Sequence, residues 1–165
     1  MISQKVIFTK SECDSIISIL KQNEIKWKSN NRKYNSYDLN INLENKWIFD
    51  RLKEFFEIET NLKINKMKEL IHFHKYIIGD WFGKHNDIRE GRLYAVGVLL
   101  NQNFDGGDFK LYNPDEYLLN KEIGNTYIFD VKIEHEITTI LIGERYSLLW
   151  FLSPDNIKSN IKSLI

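Results

Sequence analysis

The sequence predicts an α+β fold that is mainly β, in which short antiparallel strands form a sandwich or barrel and helices pack outside it. Two observations predict this class. Helical patterns occur in the first part of the chain, and after about residue 64 short apolar runs alternate with turn signals almost to the end. With 165 residues, the chain is long enough to bury the core of one ordinary domain.

The first part of the chain carries two amphipathic helix patterns among strand patterns. Residues 2–8 are typical of a short strand, and apolar residues recur at helical spacing over 11–23. The polar, basic stretch 26–36 is typical of a loop or an irregular hairpin. Residues 37–43 alternate between apolar and polar, as a half-buried strand does, and 44–58 fit a second helix.

The second part of the chain consists of strand patterns separated by turn signals. Gly79, Asp105-Gly106-Gly107 and Gly143 mark turns between apolar runs. For the tail, 155–165, we predict a short helix. The predicted strands are 69–78, 93–100, 108–112, 126–129, 136–142 and 145–152.

The composition excludes several classes of protein. Lys and Arg number 23 and Asp and Glu 23, so no bulk charge directs the chain to nucleic acid or to a membrane. Cys13 is alone, which excludes an intramolecular disulfide and a cysteine-rich metal site. The N-terminus lacks the apolar run of a signal peptide, and no stretch approaches membrane-spanning length. We therefore expect a soluble, cytoplasmic protein.

A candidate metal site consists of His85-Asn86-Asp87 and the distant His135. Residues i and i+2 of a strand share a face, so His85 and Asp87 can address one ion at the end of a strand. His135 would come from a distant strand of the same scaffold. Two imidazoles and a carboxylate leave other coordination positions open, as in non-heme Fe(II) oxygenases, and the lack of thiolates disfavours structural zinc. The alternative is ordinary surface or core histidines.

Arg145 lies on a strongly apolar strand pattern that follows Gly143. A buried arginine needs an anionic partner, because an unpaired buried charge is very costly. Ser147, at i+2, points to the same face and could bond to the same anion. The planar guanidinium suits a carboxylate, such as that of a 2-oxo-diacid. The alternatives are an internal salt bridge to Asp or Glu and an edge position where the side chain reaches water.

The order and spacing of these motifs resemble the 2-oxoglutarate/Fe(II)-dependent dioxygenases of the prolyl 4-hydroxylase type. The resemblance covers about half of the chain, from Leu70 to Leu152, and more loosely the helical start. It implies a double-stranded β-helix (jelly-roll) core with N-terminal helices packed outside. It also implies one dioxygenase domain over 1–165, with a helical part over about 1–62 and a catalytic β core over about 63–152. The matching motifs are Tyr76-Ile77-Ile78-Gly79, His85-Asn86-Asp87, Gly91-Arg92, Leu100-Asn101, Gly106-Gly107, His135 and Gly143-Glu144-Arg145.

The resemblance assigns roles to the candidate residues. It implies that three residues are catalytic and bind Fe(II), namely His85, Asp87 and His135. Arg145 would hold the far carboxylate of 2-oxoglutarate, with Ser147 as a helper.

Two further matches have a structural alternative. Tyr76 would contact the co-substrate, but it could instead be a core aromatic. Arg92 would lie near the substrate entrance, although a solvated turn residue is an equal alternative.

The chain also departs from the family pattern. Leu99 stands where many members have a tyrosine that helps to hold the co-substrate, so that contact is missing or supplied elsewhere. Trp150 follows Arg145 by five positions instead of six, which puts Phe151 on the inner face. His72 and His74 share a face with Tyr76, and they are rival metal ligands, pocket lining or plain strand packing. The stretch 26–34 is a substrate-covering loop or a solvated loop.

The activity implied by the resemblance is hydroxylation of an unactivated C–H bond. O2 and 2-oxoglutarate would be consumed and succinate and CO2 released, with ascorbate as a candidate reductant. A prolyl residue in a peptide or protein is the leading substrate, and no nucleic-acid or membrane partner is expected. Three alternatives stay open: a free amino acid or other small molecule as substrate, a nucleic-acid demethylase, and a catalytically silent binding module. Demethylases usually carry a second arginine where this chain has Phe151.

Overall fold

The computed structural model describes residues 1–19, 25–39, 41–65, 69–89, 91–153 and 157–158. Within these ranges the chain forms two helices and fifteen strands. The helices are α1 (Lys10–Ile19) and α2 (Lys46–Thr60). The strands are β1 (Ile2–Val6), β2 (Ile25–Ser29), β3 (Arg32–Leu39), β4 (Lys63–Ile64), β5 (Ile71–Tyr76), β6 (Trp81–His85), β7 (Tyr94–Leu99), β8 (Phe104–Gly106), β9 (Phe109–Tyr112), β10 (Glu116–Leu118), β11 (Asn125–Asp130), β12 (Glu134–Ile137), β13 (Ile140–Gly143), β14 (Arg145–Leu152) and β15 (Ile157–Lys158).

Most of the strands belong to one strongly curled antiparallel sheet. Its order is β1-β11-β7-β14-β5-β3-β6-β12-β9-β10, with β2 paired to β3. β3 pairs with β5 through residues 35–39 and with β6 through residues 32–33. It therefore connects the first half of the sheet (β1, β11, β7, β14 and β5) to the second half (β6, β12, β9 and β10). The two halves face each other across an inner core. This arrangement confirms the predicted mainly β fold with a jelly-roll core.

Two apolar cores lie on opposite faces of the first half of this sheet. The outer core packs both helices against it, and α2 contributes Ile48, Leu52, Phe55 and Phe56. The inner core fills the space between the two halves of the sheet. Because successive strand residues point to opposite faces, β14 serves both cores. Leu148, Trp150 and Leu152 belong to the outer core, whereas Phe151 belongs to the inner one, as the sequence predicts.

The stretch 26–36, predicted as a loop or irregular hairpin, is a regular β-hairpin. β2 and β3 pair from Ile25 opposite Ser36 to Ser29 opposite Arg32. Buried Tyr34 and Ser36 continue the alternation that the sequence shows from Tyr37 onward, so the predicted strand begins about five residues earlier. Polar residues dominate because the hairpin exposes much of its other side. The hairpin alternative is confirmed and the loop alternative is wrong, whereas a substrate-covering role for this stretch stays a prediction.

Other differences concern strand boundaries and the ends of the chain. β6 was not predicted, because Gly83 and Lys84 interrupt its apolar pattern. The predicted strand 136–142 is divided into β12 and β13. Residues 157–158, for which a helix was predicted, form β15 and pair with β4. Most of the predicted tail helix and the end of the first predicted helix lie outside the described residues. The first 62 residues hold both helices and also strands, as predicted, and β1 and β3 join the main sheet. No helix in the described ranges is long and apolar enough to cross a membrane.

Candidate active site

The three predicted metal ligands come together at one place in the fold. His85 is the last residue of β6, Asp87 follows two residues later, and His135 lies in β12 directly opposite His85. The backbone N–H of Asp87 donates to the carbonyl of Val131 (3.0 Å), which anchors the loop after β6. One ligand atom from each residue lies within 4.8 Å of the others. Pairing of the two strands therefore produces the cluster.

Backbone carbonyls orient both imidazoles. His85 Nδ1 lies 2.7 Å from the carbonyl oxygen of Gly83, and His135 Nδ1 lies 2.9 Å from that of Ile133. A carbonyl only accepts hydrogen bonds, so Nδ1 carries the proton in each ring and the neutral Nε2 carries a lone pair. Metal-binding histidines typically have their other ring nitrogen held in this way.

The lone pairs of the histidines face the carboxylate of Asp87. Nε2 of His135 lies 3.2 Å from Oδ2, and Nε2 of His85 lies 3.7 Å from Oδ1. Asp87 Oδ2 is buried and has no hydrogen-bond partner. Burial and the neighbouring His135 lower the pKa of His85, which favours its neutral form. Three converging lone-pair atoms repel one another unless a cation lies between them, so these three ligand atoms fit a divalent metal ion.

Aromatic rings surround the two imidazoles. The Phe82 ring stacks on His85 with centroids 3.6 Å apart, and the rings of Phe109 and Phe129 lie 5.5 and 4.8 Å from that of His135. Burial acts to raise the pKa of Asp87, but the adjacent imidazoles of His135 and His85 and the guanidinium of Arg92 outweigh it, so the pKa lies below its usual value. The carboxylate is therefore ionised in apolar surroundings.

Arg145 is buried at the start of β14, opposite Tyr76 of β5. Its side chain is enclosed, with the residue only 2% exposed, and Nη1 donates to Ser147 Oγ (2.8 Å). Its Nε has no hydrogen-bond partner. Salt bridges within 4.0 Å join other arginines to Asp or Glu in the described part of the chain, but none involves Arg145. The described residues therefore support neither an internal salt bridge nor a water-exposed edge, and a buried guanidinium without an anionic partner among them suits an anion from outside the chain.

A single cavity of about 370 Å³ joins the three converging ligands to Arg145. Ser147 and Tyr76 line it as well. The Tyr76 ring lies 5.6 Å from Arg145 Cζ and stacks on Tyr34, and burial raises the pKa of its phenol well above the usual value. Tyr76 is thus both a packed aromatic and part of the cavity wall.

Arg92 lines the same cavity but is paired to another residue. Its Nε and Nη2 donate to the two carboxylate oxygens of Glu69 (3.0 and 2.6 Å), and its guanidinium lies 3.6 Å from the centroid of Phe151. A solvated turn position is therefore wrong for Arg92. Contact with a substrate stays a prediction.

His72 and His74 also line the cavity, away from the metal ligands. His72 Nδ1 lies 2.9 Å from Asp38 Oδ1. Burial lowers the pKa of His74 to about 3, so this ring stays neutral. The metal-ligand cluster found in the described ranges consists of His85, Asp87 and His135. Of the three alternatives for His72 and His74, the structure supports pocket lining.

Sequence reasoning missed several polar residues of the cavity wall, among them Tyr34, Asp38 and Tyr127. Tyr34 and Asp38 lie on β3, part of which was predicted as a loop. For Tyr127 a signal exists: Gly97 interrupts the apolar strand β7, and a strand glycine often marks close approach of another group.

Comparisons with known proteins identify solved structures that share this fold. No protein-family model and no curated protein matches the chain. Solved structures do, including an oxidoreductase of the 2OG-Fe(II) oxygenase family from Burkholderia pseudomallei, with 16% identity, a TM-score of 0.77 and coverage of 96% of this chain and 88% of that one. A Pseudomonas putida prolyl-4-hydroxylase matches with 19% identity, a TM-score of 0.72 and coverage of 92% of each chain. A Trichoplax adhaerens prolyl hydroxylase, in complex with a hypoxia inducible factor peptide fragment, matches with 15% identity, a TM-score of 0.74 and coverage of 94% of this chain and 84% of that one.

These likenesses concern the fold, because every identity is below 20%. The chain has the fold of 2-oxoglutarate/Fe(II) oxygenases over nearly its whole length.

Proposed function

We propose that this chain is a 2-oxoglutarate- and Fe(II)-dependent dioxygenase that hydroxylates an unactivated C–H bond, with a prolyl residue of a peptide or protein as its substrate. The observation that carries the proposal is the charge pattern of one cavity. Three acceptors that need a cation lie at one end, and a buried guanidinium that needs an anion lies at the other. A 2-oxo-diacid meets both needs, since its keto-acid end chelates a metal and its far carboxylate is free.

At the metal end, His85, Asp87 and His135 would hold Fe(II) and leave its remaining positions for other ligands. Bound Fe(II) would supply the activation of O2 that couples oxidation of 2-oxoglutarate to succinate and CO2 with hydroxylation of the substrate. The chain contributes orientation, because the carbonyls of Gly83 and Ile133 hold both imidazoles in the metal-binding tautomer. The rings of Phe82, Phe109 and Phe129 limit access of water to this end.

At the other end, Arg145 would pair with the far carboxylate of 2-oxoglutarate. Its hydrogen bond to Ser147 fixes the guanidinium before the co-substrate arrives, so little side-chain entropy is lost on binding. Tyr76 would line the co-substrate beside it. Because Arg145 is buried, charge pairing there is little screened by water and therefore strong.

The substrate would approach the metal over the residues that follow Asp87. Asn86, Ile88 and Arg89 are exposed and line the cavity. Ile88, at 58% exposure, offers an apolar contact for a peptide, and Arg92 lies at the same part of the wall. A prolyl substrate is supported by two of the structural neighbours, which are prolyl hydroxylases, one of them in complex with a peptide fragment.

The test measures succinate formation from 2-oxoglutarate with Fe(II) and ascorbate, with and without proline-containing peptides and free amino acids. We expect succinate to rise with a peptide that gains one oxygen on proline. Oxygen gained by a free amino acid instead would replace the peptide with a small-molecule substrate. An absence of both succinate and Fe(II)-dependent 2-oxoglutarate binding would contradict the proposed activity and favour a silent binding module.

The control variant for this test is Asp105→Ala. Asp105 is an exposed carboxylate of β8 outside the cavity. Its removal should leave succinate formation unchanged, whereas Asp87→Ala should abolish it.

A further inference from the structure

The side chain of Tyr127 crosses a neighbouring strand. Tyr127 lies on β11, opposite Gly97 of β7. A Cβ atom at position 97 would lie 2.3 Å from Cζ of Tyr127 and 2.4 Å from its hydroxyl oxygen. Such distances are far below van der Waals contact, so the phenol occupies the space where any other residue at 97 would carry its side chain.

The direction of this crossing leads toward Arg145. β7 pairs on its other side with β14, where Gly97 lies opposite Leu149 and Leu99 opposite Ser147. Tyr127 lines the cavity together with Arg145 and Ser147 and is only 3% exposed. Burial raises the pKa of its phenol, and the nearby Arg145, by its charge and by hydrogen bonding, partly offsets this rise. The phenol is therefore protonated and can donate.

The position next to Ser147 on β7 has no polar group of its own. Leu99 occupies it, and its side chain is buried in the inner core. Hydroxyl groups near Arg145 come instead from Ser147 itself, from Tyr76 on the adjacent strand β5, and from Tyr127 on β11, which lies beyond β7. A guanidinium surrounded by hydroxyl donors is complementary to a carboxylate.

We propose that Tyr127 is a positioning residue for the co-substrate, whose phenol donates to the carboxylate that pairs with Arg145. Gly97 gives the phenol its path, and this contact takes the place that Leu99 leaves without a donor. The inference rests on the proposed function, since it assumes that a dicarboxylic co-substrate binds in this cavity.

The test is the affinity for 2-oxoglutarate, measured by calorimetry under anaerobic conditions with Fe(II), so that no turnover is needed. Tyr127→Phe removes one oxygen atom and keeps the ring. We expect the dissociation constant to rise about tenfold, as loss of a hydrogen bond to a charged group does. The matched control is Tyr94→Phe, because Tyr94 packs on Phe56 in the outer core, away from the cavity.

A second pair of variants tests the path over Gly97. Gly97→Ala should weaken 2-oxoglutarate binding in the natural chain, because the new methyl group displaces the phenol. In a Tyr127→Ala background the same change should have no further effect, and thermal melting checks that each variant is folded. Unchanged affinity in Tyr127→Phe, alongside weakened binding in Arg145→Ala, overturns this inference alone. No binding of 2-oxoglutarate to the natural chain overturns the proposed function and the inference with it.

Discussion

The two ends of the cavity are built differently, and the difference explains why the cavity suits a molecule with two unlike ends. The metal end lies on the half of the sheet that contains β6 and β12, and it presents only acceptors: two imidazole nitrogens and a carboxylate. The Arg145 end lies on the half that contains β5, β7 and β14, and it presents a guanidinium together with the hydroxyl groups of Ser147 and Tyr76. Neither end can satisfy the other, because each half of the sheet holds its groups in place.

The largest effect we expect is at the metal end. Asp87→Ala removes the only carboxylate of the cluster, so Fe(II) affinity should fall at least about 100-fold and turnover should be lost. The fold should survive, because Asp87 lies in the loop after β6 and neither apolar core includes it. Metal titration and thermal melting check both parts. Retained turnover would mean that Asp87 is not a metal ligand.

The next largest effect is at the other end. Arg145→Ala should weaken 2-oxoglutarate binding by roughly 2–4 kcal/mol, as loss of a buried charged partner does. Fe(II) affinity should be unchanged, which would show that the two ends act independently. Arg145→Lys keeps the charge without the planar geometry, so its loss should be intermediate. An unchanged affinity for 2-oxoglutarate in Arg145→Ala would make the arginine structural.

His74 lies between the two ends and carries no charge near neutral pH. Its pKa is about 3 in the folded protein, against an ordinary value of 6.5, so the unfolded chain binds more protons between these values. The free energy of unfolding should therefore fall as pH falls below 6.5, by at most about 1.4 kcal/mol per pH unit from this group. Urea denaturation at pH 7.5 and 5.5 should show that the free energy of unfolding falls less in His74→Gln than in the natural chain. An equal fall in both proteins would contradict the lowered pKa of His74.

The smallest effect we expect concerns Ser147. Its Oγ accepts from Arg145 Nη1 inside the cavity. Ser147→Ala should weaken 2-oxoglutarate binding by about 1 kcal/mol, the usual value of one hydrogen bond. The affinity for Fe(II) again serves as the internal control. A loss as large as that of Arg145→Ala would mean that Ser147 contributes more than the one hydrogen bond to Arg145.

The sequence predicted the architecture well where local patterns are strong. The second helix and the strand of Arg145 have clear apolar periods, and the structure has both within two residues of the predicted bounds. The hairpin of β2 and β3 was predicted less well, because its composition is polar and its register depends on pairing with β5 and β6. The pattern of apolar residues in a strand indicates which of its faces is buried, but it does not indicate which other strands it pairs with.

Sequence and tertiary structure decided different parts of the candidate site. The residue types, the i and i+2 spacing of His85 and Asp87, and the alternation along β14 are local, so the sequence by itself determined that Arg145, Ser147 and Phe151 share a face. Only the tertiary structure decided that His135 lies opposite His85 and that Glu69 forms a salt bridge with Arg92. It also decided that Tyr127 crosses Gly97 toward Arg145. These contacts join residues far apart in the chain, and the register of the strands and the space between side chains determine them.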